Sequence, residues 1–246
     1  MGVDGRSSLV RKWASFPVHR DPPQRYLAGV IFENMSALPE DTAYFRINPA
    51  LGQLVLLMPQ GNGRVRAYLG RYQRKSPDRL QGMNDLPRFI AESVKTGTPA
   101  EFYEGAKPAG PLARFEGADT WVEHPDRAGV VLIEDAAASN DPCFGQGLSL
   151  TVRSVRVLRD HLLSYNDWDA AGHAYVAAQD RDYGVVHRVT QWLGIMLYEP
   201  GEEADVRRAR ALPLLGQDNT RMPNHLLSGP DVPADDTVRA RFFGEE

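Results

Sequence analysis

Two kinds of apolar spacing divide the chain. From Tyr26 to Tyr72 the apolar positions recur every second residue or form short unbroken runs. Tyr26 to Glu33 is apolar and β-prone, and Leu54 to Met58 is continuous. Thr42 to Asn48 sets Ala43, Phe45 and Ile47 against Tyr44 and Arg46, and Arg64 to Tyr72 sets Val65, Ala67 and Leu69 against Arg64, Arg66 and Tyr68. A period of two is that of a half-buried strand. Asn48-Pro49-Ala50-Leu51-Gly52 and Gln60-Gly61-Asn62-Gly63 are turn sequences between the last three runs. The pattern predicts an antiparallel meander of about four strands, with one face on a core and Arg46, Arg64, Arg66 and Tyr68 on the other.

Elsewhere the spacing is helical. Gly2 to Ser8 reads as a turn entering a short helix, with Ser7 or Ser8 as N-cap. After a polar loop, Ser76 to Met83, a helix is predicted over Asp85–Lys95, with Pro87 tolerated in its first turn. Lys107 to Pro111 is a loop and Trp121 to Glu123 a short strand. Trp168 to about Leu197 keeps Ala171, Ala174, Tyr175, Ala178, Val185, Val189, Trp192 and Met196 on one face, with Gly184 as a bend point. Pro200-Gly201 breaks that pattern. Glu202 to Leu212 restarts it with acids first and arginines last, which suits the helix dipole. From Gly216 onward, proline, glycine and charge predict an irregular tail.

The stretch from Gly129 to Leu163 joins both patterns. Val130 to Ile133 is a short buried strand that runs into Asp135, with Ala136, Ala137 and Ala138 behind it. A loop follows, Ser139 to Phe144, and Gly145-Gln146-Gly147 opens a helix. Leu148, Val152, Val155, Leu158 and Leu162 have the spacing of its buried face, and Ser149, Arg153, Arg156 and Asp160 take the opposite one. A strand that ends in a carboxylate before a glycine-flanked helix N-terminus can hold a polar ligand. The carboxylate accepts hydroxyl donors, and the uncapped N–H groups meet negative charge.

Composition narrows the classes. With 246 residues, 42% hydrophobic and 24% charged, the chain has the balance of a soluble globular protein. A net charge of -4 gives no electrostatic reason for nucleic acid or an anionic membrane. The lone cysteine, Cys143, cannot form an internal disulfide, and no run approaches the ~20 apolar residues of a membrane span. With no signal peptide visible, a cytoplasmic protein is expected.

Two segments together carry a resemblance. Asp135-Ala136, Pro142 and Gly145-Gln146-Gly147-Leu148, with the helix behind them, resemble the second flavin-binding motif of FAD-dependent monooxygenases of the p-hydroxybenzoate hydroxylase type. The opening Gly2-Val3-Asp4-Gly5-Arg6-Ser7-Ser8, with Arg11, resembles the Asp-Gly motif of the same family, and the β-rich block lies where that family has its substrate sheet. The resemblance implies that Asp135 accepts a hydrogen bond from the ribityl chain of FAD. It implies that Pro142 to Leu148 sets backbone N–H groups near the isoalloxazine ring, and that Asp4, Gly5 and Arg11 lie near the diphosphate and the path of NAD(P)H. NAD(P)H would be the transient electron donor, dioxygen the oxidant and an organic, often aromatic, small molecule the substrate.

Departures qualify the resemblance. The family opens with a Gly-x-Gly-x-x-Gly turn for the ADP half of FAD, and the only approach to it here, Gly61-Asn62-Gly63, lies in a hairpin. Glu134 stands in the place of a glycine and Ala138 in that of a histidine. The chain is therefore expected to be the C-terminal portion of such an enzyme, truncated or split, weak in FAD binding alone, with a separately encoded N-terminal FAD-binding segment as partner.

Plainer readings exist for each motif. Asp135 could cap a turn, Gly145 and Gly147 could serve one, and Asp4-Gly5 alone is more often a turn than a site. Sheet arginines are usually solvated, and Cys143 has no adjacent base to make it reactive. No histidine pair has metal-ligand spacing with a nearby acid or cysteine, so no metal site is expected, and there is no Gly-x-Ser-x-Gly elbow. The expectation is an α+β protein with a partial, Rossmann-like FAD-binding region at residues 1–15 and 126–215, an inserted antiparallel substrate sheet at 16–125 and a tail at 216–246. A related halogenase or reductase, or a non-catalytic binding remnant, are the alternatives.

Overall fold

The structure is a computed structural model that describes residues 1–72, 79–127 and 129–246. In chain order its elements begin α1 (Leu9–Trp13), β1 (His19–Arg20), β2 (Arg25–Glu33), β3 (Tyr44–Asn48), β4 (Gln53–Gly61) and β5 (Arg64–Tyr72). Next come α2 (Leu86–Thr96), β6 (Lys107–Pro108), β7 (Ala113–Gly117), β8 (Thr120–Trp121), β9 (Asp126–Arg127), β10 (Val130–Val131) and β11 (Ala138–Ser139). The chain closes with α3 (Gly147–Ser164), α4 (Trp168–Leu197), α5 (Glu202–Gln217), α6 (His225–Ser228) and α7 (Asp236–Phe243). Its contacts divide it into two units, residues 23–117 with 193–207, and residues 1–22, 118–192 and 208–246. Part of the loop expected from Ser76 lies outside the described residues.

The first unit is a sheet in the order β3-β4-β5-β2-β6, with β7 also on β2, and every pairing is antiparallel. Gly61, Asn62 and Gly63 all take positive φ, which is the geometry of the tight turn expected between β4 and β5. Val30, Phe32, Val55, Leu57, Val65, Ala67 and Leu69 form the buried face, against Phe89 of α2 and Tyr103. Three features differ from the expected meander. β2 pairs with β5 and not with β3, because the connection after β2 is tied down by Met35 and Leu38 in the core. β7 and β6 add strands that the polar residues Arg114, Glu116 and Lys107 conceal. In β3 the inward residue is Tyr44, whose ring meets Phe102 edge-on and whose hydroxyl donates to Gly97 O, while Phe45 is 49% exposed. Arg46 thus opposes Val55 on the helix-covered side, away from Arg66 and Tyr68.

The second unit holds a three-stranded antiparallel ladder, β1-β8-β11, a β9–β10 hairpin, helices α1, α3, α6 and α7, and most of α4 and α5. Ile133 packs with Leu158, Tyr175 and Val176, and Leu150 with Tyr183 and Val186. Here the expected face of α3 is corrected. Leu158 is buried as expected, but its buried neighbours on the helix are Leu150 and Ser154, while Leu148 and Val152 are 76% and 61% exposed and Val155 and Leu162 are also exposed. Ser154 goes inward because its hydroxyl has a partner there, Gln179 Oε1 of α4 at 2.6 Å. The tail is also more ordered than composition suggests. Asp235 caps α7 through Val238 N–H, and Phe242 and Phe243 are both buried. No helix among the described residues is long and apolar enough to cross a membrane.

Candidate cofactor site

The N-terminal motif is built into the second unit by backbone pairing. Gly2 N–H donates to Val131 O at 2.8 Å, and Gly2 O accepts from Ile133 N–H at 3.1 Å, a parallel bridge beside Leu132. A Cβ on Gly2 would stand 2.7 Å from Leu132 Cδ2 and 2.9 Å from Val10 Cγ1, so glycine is what permits this approach. Gly5 then turns the chain at φ 75.

Asp4 is spent on α1. Its carboxylate accepts from the Ser8 hydroxyl, from Leu9 N–H at 2.6 Å and from Val10 N–H at 3.2 Å. Ser8 Oγ in turn accepts from Arg11 N–H at 2.9 Å, so two side chains fill the helix N-terminus. The Ser8 hydrogen bond is the main reason that Asp4 is held below the ordinary carboxylate range, against desolvation. Arg11 is buried, and its guanidinium donates to Ala136 O at 3.1 Å and Arg6 O at 2.6 Å. Burial lowers its pKa while the Asp4 charge opposes the shift. Asp4 and Arg11 are thus positioning residues, one capping α1 and the other tying α1 to the Ala136 turn.

Asp135 is different. It is half-buried, and its carboxylate has no hydrogen-bond partner among the described residues. Burial raises its pKa, and the charge of Arg6, which donates to Ala118 O, pulls the other way. Ala136 and Ala137 are fully buried, which is why small residues follow the acid. Glu134, just before it, takes φ 61, the left-handed region that glycine occupies without strain.

The loop to α3 starts from a buried acid. Asp119 Oδ1 accepts from Asp141 N–H at 2.5 Å, and Asp141 Oδ1 accepts from Cys143 N–H at 2.9 Å. Burial pushes Asp119 up to about 6, against the Asp141 N–H and the nearby His187. Pro142 opens a single 3-10 turn that Gly145 closes at φ 68, and Gln146 Nε2 donates to Phe144 O at 3.2 Å. The first internal bond of α3 is Leu150 N–H to Gln146 O, so Gly147, Leu148 and Ser149 N–H have no acceptor among the described residues. A Cβ on Gly145 or Gly147 would meet nothing within 4 Å among the described residues, so this corner is open to a ligand.

The two motifs that are far apart in sequence therefore meet, Gly2 on Leu132 and Arg11 on Ala136, and the turn at residues 134–136 packs against α3. The result is one unpaired carboxylate acceptor and one uncapped helix N-terminus, a pairing that suits a ligand with hydroxyl donors and developing negative charge. Arg6 and Asp119 are the contributors that residue patterns did not mark, since Arg6 acts across 112 residues and Asp119 across 22.

No protein-family model matches the chain, and no curated protein does. Solved structures do. The anhydrotetracycline hydroxylase OxyS from Streptomyces rimosus superposes with a TM-score of 0.70 over 94% of this chain, at 20% identity. HpxO from Klebsiella pneumoniae, complexed with FAD and uric acid, does so with a TM-score of 0.70 over 92%, at 22% identity. The fold is that of the flavin-dependent hydroxylases. The flavin-dependent halogenase CmlS shares this flavoprotein fold, with a TM-score of 0.65 over 96% of this chain at 16% identity. The chain spans 46% of OxyS and 59% of HpxO, so it corresponds to about half of a flavoprotein fold. Within that fold the α+β class expected from the sequence holds.

Proposed function

We propose that the chain carries the ribityl and isoalloxazine side of an FAD site and serves an FAD-dependent monooxygenase, with NAD(P)H as electron donor, dioxygen as oxidant and a small organic molecule as substrate. The observation that supports this most is the half-buried, unpaired Asp135 carboxylate beside the open N-terminus of α3. Asp135 would accept the hydroxyl donors of the ribityl chain. The N–H groups of Gly147 and Leu148, with the helix dipole behind them, would stabilise negative charge on the ring edge. Asp4 and Arg11 hold the frame that aims both. FAD bound there would supply the redox chemistry.

The sheet unit offers a substrate surface. Opposite its core lie Phe45, Met58 and Phe115, all exposed, with Tyr68 and Arg66, whose Nε donates to the Tyr68 hydroxyl at 3.1 Å. An apolar face that carries a guanidinium and a phenol suits an aromatic or anionic organic molecule. The adenosine half of FAD would be held by a separately encoded N-terminal segment. The outward apolar row of α3 supports a covering surface there. A reducing cytoplasm suits the lone Cys143.

The experiment is a flavin titration of the full chain and of Asp135→Ala. Weak binding by the wild type is expected, and a further loss of about tenfold or more in Asp135→Ala, since a hydrogen bond to a charged group contributes ~1.5–3 kcal/mol. Equal affinity in both refutes the role of Asp135. Tight stoichiometric binding by the chain alone refutes the need for a second segment. Product analysis in halide buffer separates hydroxylation from the halogenase alternative.

A further inference from the structure

The β1–β8 ladder brings two acids together. It pairs Arg20 with Thr120, so Asp21, which follows β1, lies beside Asp119, which precedes β8, and Asp21 N–H donates to Asp119 O at 3.0 Å. α4 adds His187, with Nε2 2.7 Å from Asp21 Oδ2 and 3.7 Å from Asp119 Oδ2. One oxygen of each acid and a nitrogen of the imidazole all lie within 4.8 Å of one another. The side chains are 27%, 7% and 17% exposed for Asp21, Asp119 and His187, so the cluster is sheltered yet reachable.

Its surroundings are not satisfied by an ion pair alone. His187 Nε2 also meets Gln191 Nε2 at 3.0 Å, and the same amide nitrogen reaches Asp21 Oδ2 at 3.1 Å. Donation to Asp21 needs a proton on the ring nitrogen, whereas acceptance from Gln191 needs its lone pair, and one nitrogen cannot supply both. Turning the amide round only moves the conflict to the Asp21 oxygen. Two buried polar atoms beside the cluster are also left bare. Tyr183, 5% exposed, stacks on the His187 ring at 5.4 Å and 11°, and its hydroxyl has no partner among the described residues. Asn140, 7% exposed, turns its Nδ2 to Asp119 Oδ2 at 3.5 Å and leaves Oδ1 without one among the described residues. Buried polar atoms are rarely left so unless something else occupies the site.

We propose that Asp21, Asp119 and His187 form a binding site for a divalent transition-metal ion. A cation shared by the imidazole lone pair and the two carboxylates removes the conflict at His187 Nε2. A water bound to it would offer a partner to the bare Tyr183 hydroxyl, and Asn140 Oδ1 would serve as a further ligand or water acceptor. An imidazole with carboxylates favours zinc, cobalt or manganese over magnesium and calcium, and zinc suits the small number of protein ligands. Trp121, with its ring centroid 4.8 Å from that of His187, walls the site on another side. Asp119 also holds Asp141 N–H through its other oxygen, so the ion would brace the loop that leads into α3. Spacing along the chain gave no sign of this site, because its ligands come from three remote segments. It stands whether or not flavin binds.

The test uses the full chain, stripped with a chelator, then titrated with Zn²⁺ by calorimetry and with Co²⁺ by visible absorption. Uptake of one equivalent is expected, with cobalt d–d bands of four- or five-coordination and no competition from Mg²⁺ or Ca²⁺. His187→Gln and Asp21→Asn, each checked for folding by circular dichroism, should weaken binding tenfold or more. Should one fail to fold, the other decides. His124→Gln, which removes an exposed pair with Asp180, should change nothing. Absence of stoichiometric uptake by the wild type overturns the proposal. So does unchanged affinity in the folded site variants, or an equal loss in His124→Gln.

Discussion

Glu134 is the residue whose replacement should improve the protein. It sits at φ 61, where a side chain costs ~1–2 kcal/mol. Its carboxylate makes no hydrogen bond with the described residues, so truncation removes no hydrogen bond. Glu134→Gly relieves the backbone strain but adds ~0.5–1 kcal/mol of backbone entropy to the unfolded chain. The balance is a gain of about 0.5–1 kcal/mol, or a rise of ~1–4 °C in Tm for a chain of this size. Glu134→Ala is the control, because it loses the charge and keeps the strained φ, and should stay within ~0.5 kcal/mol of the wild type. The assay is thermal unfolding followed by circular dichroism at neutral pH. A lower Tm for the glycine variant, or an equal rise for alanine, refutes the strain argument. Flavin titration of both variants adds a second reading: if the Glu134 charge opposes the cofactor, both tighten alike.

Two further predictions concern the helices. Leu158→Ala, buried between Ile133 and Tyr175, should cost ~2–5 kcal/mol in denaturant unfolding, whereas Leu148→Ser should stay within ~0.5 kcal/mol because Leu148 is exposed. A comparable cost at Leu148 would restore the face expected from spacing. Asp4 is held below its ordinary value of 3.8, first by the Ser8 hydroxyl, so its contribution is fully present above that value and is lost as the pH falls through the lower folded pKa. Amide exchange at Leu9 and Val10 should accordingly accelerate on acidification, beyond the intrinsic rate, in the wild type and not in Asp4→Asn.

Particular residues show what sequence could reveal. α4 has the predicted bounds, Trp168 to Leu197, because its apolar row repeats for thirty residues and both ends are marked. The Ser8 cap and the Gly61-Asn62-Gly63 turn are local, and local chemistry is readable. The face of α3 was not, since Ser154 outcompetes Val152 for the interior once Gln179 offers it a hydrogen bond. Tyr44 displaces Phe45 in the same way, through Gly97 O. In the site, the Asp135 and Gly145 motifs were visible as patterns, and so was Glu134 as a misplaced side chain, now seen at a left-handed φ. The support that Arg6 and Asp119 give depends on topology, because the partners lie 112 and 22 residues away and beyond the reach of helix or strand periodicity.

The outward row of α3 has a cellular consequence. Leu148, Val152, Val155, Leu162 and Leu163 present oil to water along one side of a helix, a surface that chaperones and proteases recognise. The steady-state amount of this protein would then follow the supply of whatever covers that row, and copies made in excess would be cleared or would stick to one another. Abundance, rather than turnover number, becomes the first property by which the covering or exposure of that row would be noticed.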